Sequence, residues 1–301
     1  MLDVRRLRLL RELSYRGTIA AVAEALMFTP SAVSQQLAAL EREAGVALLE
    51  RTGRGVTLTP AGIALVGHAE AVLERLEQAS AELAVARTGL VGTIRIGAFP
   101  TATRTILPAA LAALGRDHPR LEPMVDETDP AEVAPRLRAG DLDLALVHEY
   151  DFVPAAADLA LDTEPLLEEP MYLASGTGGD SLVRRRDAAW IASKPGTLCY
   201  EMTVRACQAA GFAPRIRHHI DDFAAVLAMV AAGQGVALVP ELGAADPPEG
   251  VRLTELPMRR RTQIAFRRGA AAHPALAAFT AALRSSIPVE RPRGHPRPDL
   301  R

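Results

Sequence analysis

Between Thr59 and Gly89 the chain carries no strong helix breaker, and this stretch constrains the fold most. Thr59-Pro60 is a cap followed by a proline whose missing N–H costs nothing at a helix start. Leu65, Ala69, Val72, Leu76, Ala79 and Leu83 then recur at alternating spacings of 4 and 3, a heptad seam. At about 1.5 Å per residue the helix would be roughly 45 Å long. A helix of that length, polar on its other faces, buries its seam either on its own domain or against a second copy. The second copy is the better match to the length, so these six residues are expected to mediate dimerisation. The same segment divides the chain into residues 1–58, a linker at 59–89, and residues 90–288.

Ahead of the linker, Leu7, Leu10 and Leu13 share one face of a first helix, and Thr18 caps a second over "TIAAVAEAL". Thr29-Pro30 opens a third, which Gly45 stops. In that helix Val33, Leu37, Leu40 and Ala44 form a buried stripe, so Ser31, Ser34, Gln35 and Ala38 point the other way. Short hydroxyl and amide side chains are less usual on a solvent face than long charged ones, and they suit close approach to another surface. "LLERTGRGVTLT" adds a hairpin whose tip carries Arg51 and Arg54. Beyond Gly92, strands such as "GTIRIGAF" and "RLEPMVDE" alternate with helices such as "RTILPAALAALGRDHP", the grammar of a parallel sheet covered on both faces. The Pro- and Arg-rich residues 289–301 are expected to be disordered.

Composition narrows the function. The start "MLDVRRLRLLREL" interleaves charge with leucine, and no apolar run approaches a membrane span, so a cytoplasmic location without membrane contact is expected. Cys199 and Cys207 are too few for a disulfide scaffold or a metal quartet, and no metal or cofactor is expected. No nucleophile with a base and an orienting group stands out, so the chain is not expected to be an enzyme. Residues 1–58 hold eight basic and six acidic side chains, a balance of only +2.

"GTIAAVAEAL", "TPSAVSQQLAALE", "GVALLER" and "LTPAG" stand in the order and spacing of LysR-type transcriptional regulators, and "GDLDLALV" and "AAGQGVALVPE" match later family blocks. The chain resembles that family from end to end; Leu49 replaces a common phenylalanine. The resemblance implies an N-terminal winged helix-turn-helix, a dimerising linker helix, and a two-lobed α/β effector domain like that of periplasmic solute-binding proteins. Lobe I would span about 90–162 and 263–288, and lobe II about 163–262, with crossovers near Asp162–Pro170 and Leu256–Gln263.

Family contact positions fall on Thr29, Pro30, Ser31, Ser34 and Gln35, which would read base edges of double-stranded DNA, with Arg51 and Arg54 on phosphate or the minor groove. Two such helices on a symmetric dimer imply a palindromic operator, and the family adds a possible tetramer. Effector positions carried over are Thr101, Thr103, Thr128, His148, Tyr200, Met202 and Thr203. Thr101 and Thr103 beside a helix N-terminus point toward an anionic small-molecule effector, of unknown identity. The expected function is thus an effector-controlled, sequence-specific transcriptional regulator acting as a homodimer or homotetramer. The rival reading is a cytoplasmic small-molecule-binding protein whose N-terminal helices mediate protein interactions.

Overall fold

The computed structural model describes residues 1–53, 55–86, 89–154, 158–176 and 181–287. Arg54 and the tail at 289–301 lie outside the described residues. α1 (Val4–Arg16) begins where the Asp3 carboxylate accepts the amides of Arg5 and Arg6, and stops at a left-handed Gly17. The Thr18 and Thr29 hydroxyls cap α2 (Ile19–Ala25) and α3 (Pro30–Ala44), each accepting the amide three residues on. β1 (Leu49–Thr52) and β2 (Gly55–Leu58) pair antiparallel as a wing. Leu7, Leu10, Leu13, Val22, Val33, Leu37, Leu40 and Leu48 close into one core, completing a winged helix-turn-helix.

α4 (Pro60–Val85) leaves the wing from a Thr59 cap. A Cβ at position 62 would lie 2.2 Å from the Leu48 carbonyl oxygen, so the helix approaches the wing only because Gly62 is bare. The seam divides here. Ala69 is buried in the N-terminal core and Leu65 packs on it, whereas Val72, Leu76 and Leu83 are 37%, 46% and 71% exposed.

The first α/β lobe follows as β3 (Gly92–Ala98), α5 (Pro100–Thr105), α6 (Leu107–Asp117), β4 (Leu121–Glu127), α7 (Pro130–Ala139) and β5 (Leu144–Tyr150). β6 (Leu161–Ser175) leads to the second lobe: β7 (Ala189–Ala192), α8 (Leu198–Ala209), β8 (Arg215–His219), α9 (Phe223–Ala231) and β9 (Ala237–Pro240). β10 (Arg252–Arg267) returns, and α10 (Pro274–Ser286) packs on α6 in the first lobe. The main sheet has the order β4-β3-β5-β10-β6-β9.

That sheet is mixed rather than wholly parallel. β3 pairs parallel with β4 and β5, while β10 runs antiparallel to both β5 and β6, and β9 antiparallel to β6. The reason is that the chain passes between lobes on two long strands running in opposite directions. The stretches read from sequence as crossovers lie inside β6 and β10. Their register shifts between Leu256 and Arg259, where Pro257 has no N–H to give the ladder. In lobe I, α6 and α10 cover Ile94, Ile96, Leu146 and Phe266, and α7 covers the opposite face through Val133 and Leu137. In lobe II, Trp190 and Met202 fill one side of the sheet, and Val226 and Val230 of α9 the other.

The N-terminal domain rests on lobe I through a buried charge cluster. Glu12 is wholly buried and faces Arg11 at 2.9 Å, Arg16 at 3.0 Å and Arg138 of α7 at 3.5 Å. Arg8 and Arg11 donate to the Arg138 carbonyl, and the Arg138 guanidinium lies 4.1 Å above the Tyr15 ring. Farther along, Arg267 of β10 pairs with Glu77 of α4 at 2.8 Å.

Candidate functional site

Two surfaces concentrate polar groups that the fold itself does not need. The first is α3. Its buried stripe locks the helix to the core, and Thr29, Pro30, Ser31, Ser34 and Gln35 are all exposed on the far side. Gln36 is tied back to α1 by Arg6 Nε at 2.9 Å, while Gln35 makes no side-chain hydrogen bond among the described residues. The Thr29 hydroxyl is occupied as the helix cap. Arg51 stands exposed on the wing. The result is a rigid, hydroxyl- and amide-bearing ridge beside an arginine, free to meet a flat hydrogen-bonding surface.

The second is a 260 Å³ cavity between the lobes, at the carboxyl ends of β3, β4 and β5. Larger spaces of 680 and 340 Å³ lie between the N-terminal domain and lobe I, but they are the seams of that junction. The interlobe cavity differs in holding a buried side chain all of whose polar atoms lack a hydrogen-bond partner among the described residues. His148, in β5, is only 6% exposed, and neither ring nitrogen has a hydrogen-bond partner among the described residues. Its ring stands edge-on to Phe99 at 4.6 Å and to Tyr150 at 5.2 Å. Beneath it Arg260 and Glu169, each 1% exposed, form an ion pair at 2.7 Å. Arg260 Nη1 also donates to the Thr101 hydroxyl at 3.2 Å, and Glu169 Oε2 accepts the Leu242 amide.

The sequence-chosen effector positions part company here. Thr101, Thr128 and His148 line the cavity. The Thr103 hydroxyl is turned to the Phe99 carbonyl at 3.2 Å, outside the lining. In lobe II the lining comes from Ser193, Thr197 and Cys199, with Asp221 and Asp222. Met202 is buried in the lobe core, Thr203 donates to the Cys199 carbonyl, and Tyr200 leans on His219. Sequence reasoning passed over Arg260, although its signal was present. In "RRR" at 259–261 the strand period turns the middle arginine inward and its neighbours outward.

Burial pushes the His148 imidazole well below its ordinary pKa, and the Arg260 charge adds to the effect. Burial also lifts Tyr150 and Cys199, whose side chains share a 3.1 Å hydrogen bond, so Cys199 is held as a thiol. Burial alone would lower Arg260, yet the adjacent Glu169 carboxylate more than offsets it and raises the guanidinium. For His148 the unfolded chain takes up the proton first as pH falls below about 6.5, so folding stability should drop from there downward. The expected loss is at most about 1.4 kcal/mol per pH unit. Denaturation midpoints of wild type and His148→Asn between neutral pH and pH about 5 check this. Equal slopes would remove His148 as the source.

Residues 4–63 match the family model "Bacterial regulatory helix-turn-helix protein, lysR family", and residues 87–288 match "LysR substrate binding domain". The chain belongs to the LysR family of transcriptional regulators. A probable hydrogen peroxide-inducible genes activator of Streptomyces viridosporus is 30% identical over 297 residues, 89% of this chain and 92% of that one. The nitrogen assimilation regulatory protein nac of Klebsiella aerogenes is 33% identical over 252 residues, 81% and 80% of the two chains. Full-length CbnR complexed with its target DNA superposes with a TM-score of 0.53 at 25% identity, covering 95% of this chain and 100% of that one. As a LysR-family member the chain is a DNA-binding regulator with an effector-binding domain, not an enzyme. The reading in which the N-terminal helices merely mediate protein contacts therefore falls. No helix among the described residues is long and apolar enough to cross a membrane.

Proposed function

We propose that this LysR-family regulator reads its operator with the exposed face of α3 and is controlled by a small molecule held in the interlobe cavity. The observation that carries the first half is the division of α3. Its apolar stripe is buried, and on the exposed side of its first half Ser31, Ser34 and Gln35 are uncharged and make no side-chain hydrogen bond among the described residues. Thr29, Pro30, Ser31, Ser34 and Gln35 enter the major groove, Gln35 pairing with the N6/N7 edge of adenine. Arg51 on the wing and, by the family resemblance in sequence, Arg54 meet the backbone or minor groove. With so small a positive balance on residues 1–58, affinity depends on two copies binding together rather than on bulk charge. Val72, Leu76, Ala79 and Leu83 of α4 supply the contact between copies, with Leu65 and Ala69 anchoring the helix below them. The target is a palindrome with half-sites about one helical turn or a multiple apart, bound by a homodimer or homotetramer. The protein acts in the cytoplasm.

Replacing Gln35 by alanine is expected to cost about 1–3 kcal/mol at one base pair per half-site and to relax preference there. Binding isotherms on the operator and its single-base variants measure this; an unaltered preference profile would take Gln35 out of base reading. The cavity is supported as the effector site by its unpaired histidine and its place between the two lobes. The relatives answer to differently named signals, so membership of the family does not name the effector. A peroxide signal gains nothing from Cys199, since burial disfavours the thiolate such chemistry needs.

A further inference from the structure

The mouth of the interlobe cavity is acidic from both sides. Lobe I contributes Glu127 and Asp129, and lobe II contributes Asp221 and Asp222, all exposed at the rim. Few cations answer them. Lys194 pairs with Asp221 at 2.9 Å, and Arg104 reaches across from α5 toward Asp222 at a loose 3.9 Å. Glu127 and Asp129 have no ionic partner among the described residues; Asp129 spends one oxygen capping α7. The one buried cation on the floor, Arg260, is already neutralised by Glu169. Four carboxylates against Arg104 and Lys194 leave a net negative opening, which repels a dicarboxylate and attracts a cation.

Rim carboxylates alone would mean little, because Asp129 and Asp222 both serve as helix caps. The floor supplies an independent sign of a ligand. His148 is buried, lines the cavity and leaves both ring nitrogens without a partner among the described residues. An uncharged imidazole offers one N–H donor and one lone pair. Phe99 and Phe223 flank the same space and offer contact to an apolar stem. The carboxylates do not gather with histidine or cysteine into any group of three that could hold a metal ion among the described residues. An organic cation is the occupant that fits an acidic mouth, an aromatic wall and a hydrogen-bonding floor.

We infer that the effector is a small, amine-bearing organic cation whose ammonium groups bridge the acidic rims of the two lobes while its stem rests against Phe99 and the His148 ring. The inference rests on the interlobe cavity being the effector site, as proposed above, and it reverses the anionic ligand suggested by the threonines. Occupancy by a cation relieves repulsion between facing lips and so favours the closed arrangement of the lobes.

Three probes of one four-carbon span separate charge from size: 1,4-diaminobutane, 4-aminobutanoate and butanedioate. In titration calorimetry on the full-length protein at low salt, the diamine should bind about tenfold or more tighter than the diacid, the amino acid falling between. Asp129→Asn with Asp222→Asn keeps both helix caps, since asparagine caps as well as aspartate. That variant should lose about tenfold in diamine affinity and narrow the gap to the diacid. A diamine that binds no better than the diacid, or not at all, overturns the inference, as does unchanged diamine affinity in the double variant. His148→Phe separates the two levels. If the diacid binds best and this substitution abolishes it, the cavity remains the effector site and only the charge assignment falls. If binding ignores both the rim and His148, the cavity itself is wrong and both fall.

Discussion

Arg260→Ala should destabilise the effector domain by about 3–5 kcal/mol. The guanidinium and the Glu169 carboxylate are each 1% exposed and meet at 2.7 Å, so truncating one leaves the other charged, dry and unpaired. The loss extends beyond the pair. Arg260 Nη1 holds the Thr101 hydroxyl, and the guanidinium carbon lies 5.1 Å from the Phe99 ring centroid, so the cavity floor loses its support as well. Replacing both partners, Arg260→Met with Glu169→Leu, should cost much less, because no orphan charge remains. Denaturant unfolding of the single and double variants measures the difference. A single variant that loses under about 1 kcal/mol would mean that water reaches Glu169 and that the pair is not dry.

Leu76→Asp combined with Leu83→Asp should convert the protein to single chains and lower operator affinity by about 10²–10⁴-fold, the factor that linked half-sites normally supply. Neither side chain is buried in the chain itself, at 46% and 71% exposure, so the fold should survive with its helical content intact. Ala69, lower on the same seam, makes the contrast. It is wholly buried in the N-terminal core, and Ala69→Asp should unfold that domain instead. Sedimentation velocity and circular dichroism on the three proteins distinguish the cases. A pair of aspartates that leaves the dimer intact would show that copies meet elsewhere.

The fold class could be read from the chain because its punctuation is strong. Thr18, Thr29 and Thr59 each cap a helix with the hydroxyl, Gly17 and Gly45 end helices in the left-handed region, and the α3 stripe repeats at helical spacing. The long strands were harder to see. β6 and β10 contain "TEPLLEEP" and "TELPMRRRTQ", whose charges and prolines conceal extended backbone. Those charges answer one another across the ladder, Glu168 with Arg261 and Glu169 with Arg260, a pairing that only long-range register reveals. On lobe I, three of the positions implied by the family resemblance line the cavity, Thr101 and Thr128 just past the ends of β3 and β4 and His148 inside β5 rather than after it. On lobe II, reaching the cavity depends on depth along α8. Thr197 caps α8 and Cys199 sits in its first turn, at the cavity, while Met202 and Thr203, on the same side one turn deeper, are buried in the lobe.

β10 passes Arg260 under the cavity and, seven residues on, carries Arg267 against Glu77 of the linker helix. Over that span it stays in unbroken register with β5 from Arg260 to Phe266, an extended strand of about 23 Å, while its pairing with β6 shifts register between Thr262 and Gln263. A displacement at the ligand end would run along this strand to α4, the helix that in the proposed dimer spaces the two DNA-reading heads. Amide exchange along α4 should therefore slow or quicken when the cavity fills, and exchange indifferent to ligand would mean that the strand transmits nothing.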